Sequence, residues 1–267
     1  MTGNLAYNIL GATQKYTEAL NASIENLSNI NSVGYKKTEA SFAQTLNGEV
    51  EKYESKDFSQ GPVRKTTEPL DIALNGPGFL EVDLPNGQRA FTRAGRLKLN
   101  NEGELVTEDG YKVIPETEQE GSIGAKVENN ELGVNIKVTS PKLLVPANSN
   151  VEITEDGTIS GINPTSGDKS KFGKLSIVVF NNPSGLEAVG KGYYVQTKAS
   201  GNAQDIEAGS MKSTQVKQGF LEYGNTNIAG EFINLAQLKN ILTAHLKLLK
   251  VIDKIQENIH FTISKSV

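Results

Sequence analysis

Large aliphatic side chains recur at alternating intervals of three and four residues near the end of this 267-residue chain, and that spacing specifies a long helix with a buried seam. A register starting at Leu235 runs through Leu238, Leu242, His245, Leu249, Ile252, Gln256, Ile259 and Ile263, broken only by His245 and Gln256. Ile233, Ile241, Leu246, Leu248, Val251 and Ile255 lie off that seam, so the helix is apolar on more than one face and needs cover from several directions. Crossing a membrane is not the answer. Lys239, Lys247, Lys250 and Asp253 interrupt the stretch Phe232–Ile255, and each charge at mid-bilayer costs about 2.5–3.5 kcal/mol against the 0.3–0.6 kcal/mol a large aliphatic returns. No membrane insertion is expected.

A second stripe opens the chain. Leu5, Ile9, Ala12, Tyr16, Ala19, Ser23 and Ile30 share one helical face, widened by Leu10, Leu20, Ile24 and Leu27. Asn29, Asn31 and Gly34 tolerate left-handed backbone and should stop this helix near Asn31. No period is sustained over Tyr35–Arg64, which closes on the Gly61-Pro62 turn. The middle of the chain then reads as strands: Leu70, Ile72 and Leu74 alternate, and Gly76-Pro77-Gly78 turns the chain into Phe79–Leu84. Asn86-Gly87, Asp109-Gly110 and Asp156-Gly157 are hairpin signals between strand-like runs, and Lys174–Phe180 and Gly192–Thr197 continue the pattern. The fold class expected is α+β, with the N- and C-terminal helices packed as a coiled-coil-like pair around an inserted, mainly antiparallel β domain. The expected divisions are an N-terminal helix over 1–34, an extended linker over 35–66, a β-rich domain over 67–220 with a polar insertion at about 116–140, and a C-terminal helix over 221–267.

Chemistry has little to work with. The chain has no cysteine and two histidines, His245 and His260, which removes thiolate sites and most imidazole mechanisms. Its 27 basic residues against 31 acidic ones, net −4, argue against a nucleic-acid partner. Asp156-Gly157 lacks the further ligands of a calcium loop, Gly76-Pro77-Gly78 lacks the Lys-Ser/Thr and helix of a phosphate cradle, and Ser166-x-x-Lys169 stands in a Pro/Gly/Ser loop without companion motifs. No catalytic residue, metal or cofactor is expected. His245 reads as a polar notch setting register in the seam, and the lysines of the last helix as a solvated face or intersubunit ion pairs. The first basic residue is Lys15, so no cleavable signal peptide is expected.

Six collinear stretches carry a resemblance. They are Asn26-Leu27-Ser28-Asn29-Ile30-Asn31-Ser32-Val33-Gly34-Tyr35-Lys36, Pro69–Phe79, Phe91-Thr92-Arg93-Ala94-Gly95, Gly103–Tyr111, and the pair Gly185–Gly190 with Gln218-Gly219-Phe220-Leu221-Glu222. Together they resemble the bacterial flagellar basal-body rod and hook proteins, the last pair being most like the distal-rod members. The chain departs from that pattern at Glu25, where the family has Asn. It departs again at Leu238–Thr243, where the family has Ala-Gln-Arg-x-Tyr-Glu, and in the shortness of the stretch Phe42–Gln60. A proximal-rod relative is the alternative position.

The resemblance implies a structural subunit of a hollow, torque-transmitting shaft crossing the periplasm. Its terminal helices would form the inner layer and its β domain the outer one. Implied partners are copies of itself, other rod and hook proteins, and the flagellar export apparatus. The subunit-interface residues would be Leu5, Ile9, Ala12, Tyr16, Ala19, Leu27, Ile30, Leu235, Leu238, Leu242, His245, Leu249, Ile252 and Ile259. The family-motif residues would be Asn26, Asn29, Asn31, Gly34 and Tyr35. For the three asparagines capping and turn chemistry is one reading and contact with adjacent subunits the other, while Gly34 is expected to supply positive φ at the helix exit. The competing functional class is a secreted β-rich binding module, of adhesin or phage-tail type, on a coiled-coil stalk. A peptidoglycan-cutting enzyme lacks its constellation of Glu, His or Cys.

Overall fold

Helix α1 spans Thr2–Ser28 and helix α2 spans Ile228–Lys265 in the computed structural model, which describes residues 2–45, 50–116, 143–145, 150–162, 169–205 and 214–265. Local chemistry sets the helix ends. At the exit of α1 the backbone N–H and the side-chain amide of Asn29 both donate to the Glu25 carbonyl at 3.0 Å. At the entry of α2 the Asn227 side chain accepts from the Gly230 N–H at 3.2 Å, an N-cap, and Glu231 in the first turn complements the helix dipole.

These helices belong to the first of two compact units, made of Met1–Ile30, Lys37–Asp57 and Thr226–Val267. The unit also holds an antiparallel hairpin of β1 (Thr38–Gln44) and β2 (Val50–Lys56), in register from Thr38↔Lys56 to Gln44↔Val50. This hairpin occupies much of the stretch expected as extended linker. Its apolar content, little more than Ala40, Phe42 and Val50, is too thin for a sequence signal, and an isolated hairpin is marginal in water. The support comes from α1: the Phe42 ring packs on Tyr16 with centroids 4.5 Å apart, Lys52 pairs with Glu18 at 2.6 Å, and Lys15 donates to the Val50 carbonyl.

The second unit comprises Asn31–Lys36 and Phe58–Asn225 and is built of short strands. They begin with β3 (Val63–Lys65), β4 (Ile72–Asn75), β5 (Phe79–Asp83), β6 (Arg89–Thr92), β7 (Leu97–Leu99), β8 (Leu105–Thr107) and β9 (Lys112–Val113). There follow β10 (Asn150–Ile153), β11 (Thr158–Ile162), β12 (Lys169–Lys174), β13 (Ile177–Val179), β14 (Glu187–Gly190) and β15 (Tyr193–Val195). The last are β16 (Gln204–Asp205), β17 (Gln215–Gln218) and β18 (Phe220–Glu222). All pairings between these strands are antiparallel. The largest sheet runs β14-β15-β6-β5-β9-β8-β7, with β13 and β16 attached beside β5.

The turn signals land where their chemistry demands. Asn86-Gly87 joins β5 to β6 and Asp109-Gly110 joins β8 to β9, with Gly87 and Gly110 at φ +76° and +85°. Asp156 turns β10 into β11. Burial works against the charge on its carboxylate, but the Thr154 and Thr158 hydroxyls and the Thr158 N–H donate to it and hold its pKa below the ordinary carboxylate value. Alternate strand positions feed one apolar core that includes Ile72, Leu80, Val82, Leu105, Leu175 and Ile177. A smaller aromatic cluster gathers Phe79, Phe91, Phe180 and Tyr194. The polar insertion, apart from Glu116, and Ser166 of the Ser-x-x-Lys pattern lie outside the described residues.

Candidate assembly surface

Within the helical unit, α1 and α2 pack along the stripes read from the sequence. Ala12 and Ala19 of α1 and Leu238 and Ile252 of α2 are buried, while Ile9, Tyr16, Leu27, Ile30, Leu235, Leu242, His245 and Leu249 are half-buried. His245 stands beside α1: its Nδ1 lies 3.4 Å from the Thr13 hydroxyl, and its ring meets Tyr16 edge-on at 5.5 Å. Leu5 stands in solvent at 54% exposure, away from this seam. The side chains of Ile259 and His260 are outside the described residues.

Asn26 has a longer reach than a cap. It is fully buried; its Oδ1 accepts from the Thr38 N–H at 2.8 Å, and its amide donates to the Thr38 carbonyl at 2.8 Å and to Glu231 Oε1 at 3.0 Å. One amide thus ties α1, the start of β1 and the first turn of α2 together. Turn chemistry explains Asn29, Asn31 is exposed in the turn that follows, and Tyr35 is half-buried. Gly34 is required twice over: its φ is +68°, and a Cβ there would lie 2.4 Å from the Ala94 nitrogen.

Three of the motif stretches converge inside the second unit. Lys36 Nζ and Glu222 Oε1 are 2.6 Å apart with both side chains fully buried, and Arg93 Nη1 approaches Glu222 Oε2 at 3.3 Å. Two cations share one carboxylate, so neutral groups complete the shell. Gly61 N–H donates to Glu222 at 2.9 Å, Lys36 donates to the Ser59 carbonyl at 2.6 Å, and Arg93 donates to the Gly76 carbonyl at 2.8 Å. The Arg93 guanidinium also lies over the Phe79 ring at 5.4 Å, and burial pulls its pKa down against the opposing pull of Glu222. The cluster anchors Asn31–Lys36 onto β18, alongside the Val33–Tyr223 bridge. Sequence reading quoted these residues as motif letters and missed that they meet. Lys36 and Glu222 are 186 positions apart, and no local period reports such a pairing.

What remains uncovered is concentrated on the helices. Leu5, Tyr7, Leu10 and Ile24 of α1 and Ile228, Phe232, Ile233, Leu246, Leu248, Val251, Ile255 and Phe261 of α2 are all more than two-fifths exposed. Outside the helical unit, the only comparably exposed large apolar residues among those described are Leu144, Ile162 and Val189. On α2 the sites have an order of their own: Ile241, Ala244, Leu248, Val251 and Ile255 repeat the three-four spacing one residue ahead of the seam. A second seam therefore runs beside the first, without a partner among the described residues. Exposed apolar surface of this extent marks a contact surface. No helix among the described residues is long and apolar enough to cross a membrane.

Comparison with known proteins gives the family of the chain. The family model described as "Flagellar hook protein FlgE/F/G D1 domain" matches residues 73–161. The flagellar basal-body rod protein FlgG of Buchnera aphidicola subsp. Schizaphis graminum is 33% identical over 205 residues, covering 76% of this chain and 69% of its own. FlgG of Buchnera aphidicola subsp. Baizongia pistaciae is 28% identical over 265 residues, 90% of this chain and 92% of its own. FlgG of Borreliella burgdorferi is 28% identical over 252 residues, 85% and 86% respectively. The chain belongs to the flagellar basal-body rod protein family.

Proposed function

We propose that the chain is a structural subunit of the flagellar basal-body rod that polymerises through its terminal helices. One observation carries this: along the second apolar seam of α2 the described residues leave Leu248, Val251 and Ile255 each near half exposed. Burying a large aliphatic side chain yields about 1.5–3 kcal/mol, so a neighbouring subunit laid along that seam gains several such increments at once. In this reading the helical unit, Met1–Ile30 with Lys37–Asp57 and Thr226–Val267, is the assembling part of a subunit of a hollow shaft. Copies of the chain and other axial proteins are the partners. The subunit reaches its place through the flagellar type III export apparatus, and the shaft transmits torque rather than catalysing a reaction. The rod is favoured over a binding module on a coiled-coil stalk because the relatives that match most of the chain are named flagellar basal-body rod proteins.

Leu248→Asp tests the proposal. The position is 50% exposed, so the soluble chain should keep its stability within about 0.5 kcal/mol. An aspartate buried without a partner between subunits costs several kcal/mol, so incorporation into basal bodies and motility should be lost. Normal motility with this variant would refute the seam as an assembly surface.

A further inference from the structure

Among the described residues strand β1 pairs on one edge only, with β2, and the register says which atoms the other edge offers. Asp57 N–H donates to the Lys37 carbonyl at 3.0 Å, so Lys37, Glu39 and Ser41 direct their backbone groups toward β2. The alternate residues Thr38, Ala40 and Phe42 direct theirs away. At Thr38 the Asn26 amide takes both outward groups. At Ala40 and Phe42 no described group takes them.

This edge lines a cleft of about 530 Å³ whose opposite walls are Ala19, Ala22 and Ser23 of α1 and Asn234, Gln237 and Ile241 of α2. Glu231 lines it as well. That carboxylate is 6% exposed; its Oε1 is held by Asn26, and its Oε2 is buried with no hydrogen-bond partner among the described residues. A buried carboxylate oxygen left unpaired is costly, so the cleft lacks a donor. The small side chains on the α1 wall leave room for one.

We propose that the cleft receives an extended segment of a second copy of this chain. The segment adds to β1 as a third strand and places a Lys or Arg side chain on Glu231 Oε2. The inference rests on the rod-subunit reading and names one of its contacts. A free strand edge presents donors and acceptors at a spacing that only an extended backbone matches. The acidic oxygen selects a cationic side chain. Continuity selects the second copy: Asn234, Gln237 and Ile241 run by the same three-four spacing into Ala244, Leu248 and Val251, so a subunit lying along that seam reaches the mouth of the cleft.

The substitution Ala40→Pro removes the outward N–H and spares the ladder to β2, because proline is tolerated on a free edge. It is to be introduced into the full chain together with Glu231→Gln, in separate strains, and scored as the fraction of purified basal bodies that contain the subunit. The soluble Ala40→Pro chain should keep its thermal midpoint while incorporation falls by about tenfold or more, the equivalent of losing one or two net backbone hydrogen bonds. Incorporation of Ala40→Pro at the wild-type level overturns the inference. Should that chain melt early, Glu231→Gln decides: it preserves the acceptor for Asn26 and removes the charge, and undiminished incorporation overturns the inference equally. Leu248→Asp separates the two levels. If that variant is excluded while Ala40→Pro is incorporated, strand addition falls and the rod reading stands; if both are incorporated, both fall.

Discussion

Glu222 is the single residue on which most depends locally. Its carboxylate is shared by Lys36 and Arg93 with all three side chains buried, so its loss leaves two cations in low dielectric. Glu222→Gln should destabilise the soluble chain by about 3–5 kcal/mol, read as a fall in the denaturant midpoint. Lys36→Met should cost much less, because Glu222 keeps Arg93 and Gly61. Equal losses for the two variants would show that the cluster is not organised around the carboxylate. Tyr193 supplies a pH signature at the same scale. Burial, followed by the charge of Asp109, raises its phenol well above the ordinary value, and the hydroxyl lies 2.9 Å from the Thr107 Oγ1 and 3.0 Å from an Asp109 oxygen. The folded chain therefore keeps a proton that the unfolded chain loses above about pH 10. Stability is intact below that pH and falls above it. Tyr193→Phe should flatten the alkaline limb of a stability–pH curve; an unchanged limb would contradict the assignment.

Periodicity made some elements legible in the sequence and left others invisible. Helix α2 was readable because Leu235, Leu238, Leu242, Leu249 and Ile252 repeat over several turns, and the hairpins at Asn86-Gly87 and Asp109-Gly110 because those dipeptides fit few other turns. The β1–β2 hairpin was not readable. Its seven-residue strands carry mostly charged and small side chains, and it stands because Tyr16, Glu18 and Lys15 of α1 hold it. The second seam of α2 was present as excess apolar residues, but its meaning required knowing which face α1 already covers. Gly11 raises the same question on α1. It sits inside the helix, where glycine costs about 0.5–1 kcal/mol relative to alanine, yet a methyl group there would meet nothing within 4 Å. Gly11→Ala should raise the thermal midpoint of the soluble chain; on the rod-subunit proposal it should also reduce incorporation into rods, since an added methyl would hold off a neighbouring helix laid on that face. A variant more stable and equally well incorporated would show that no neighbour approaches there.

At the scale of the whole molecule, the two units divide the work. The β unit buries its own core and fixes the entering segment Asn31–Lys36 by a fully buried ion cluster. Among the described residues, most of the exposed large apolar side chains belong to the helical unit instead. On the rod-subunit proposal, assembly follows from where this apolar surface is left over. The absence of cysteine from the chain makes this directly measurable. Leu248→Cys introduces the only thiol, on the uncovered seam, and its rate of reaction with a maleimide can be compared between the soluble subunit and purified basal bodies. Rapid labelling of the soluble chain and protection by an order of magnitude or more in the basal body is the result predicted. Equal labelling in the two states would contradict burial of that seam by neighbouring subunits.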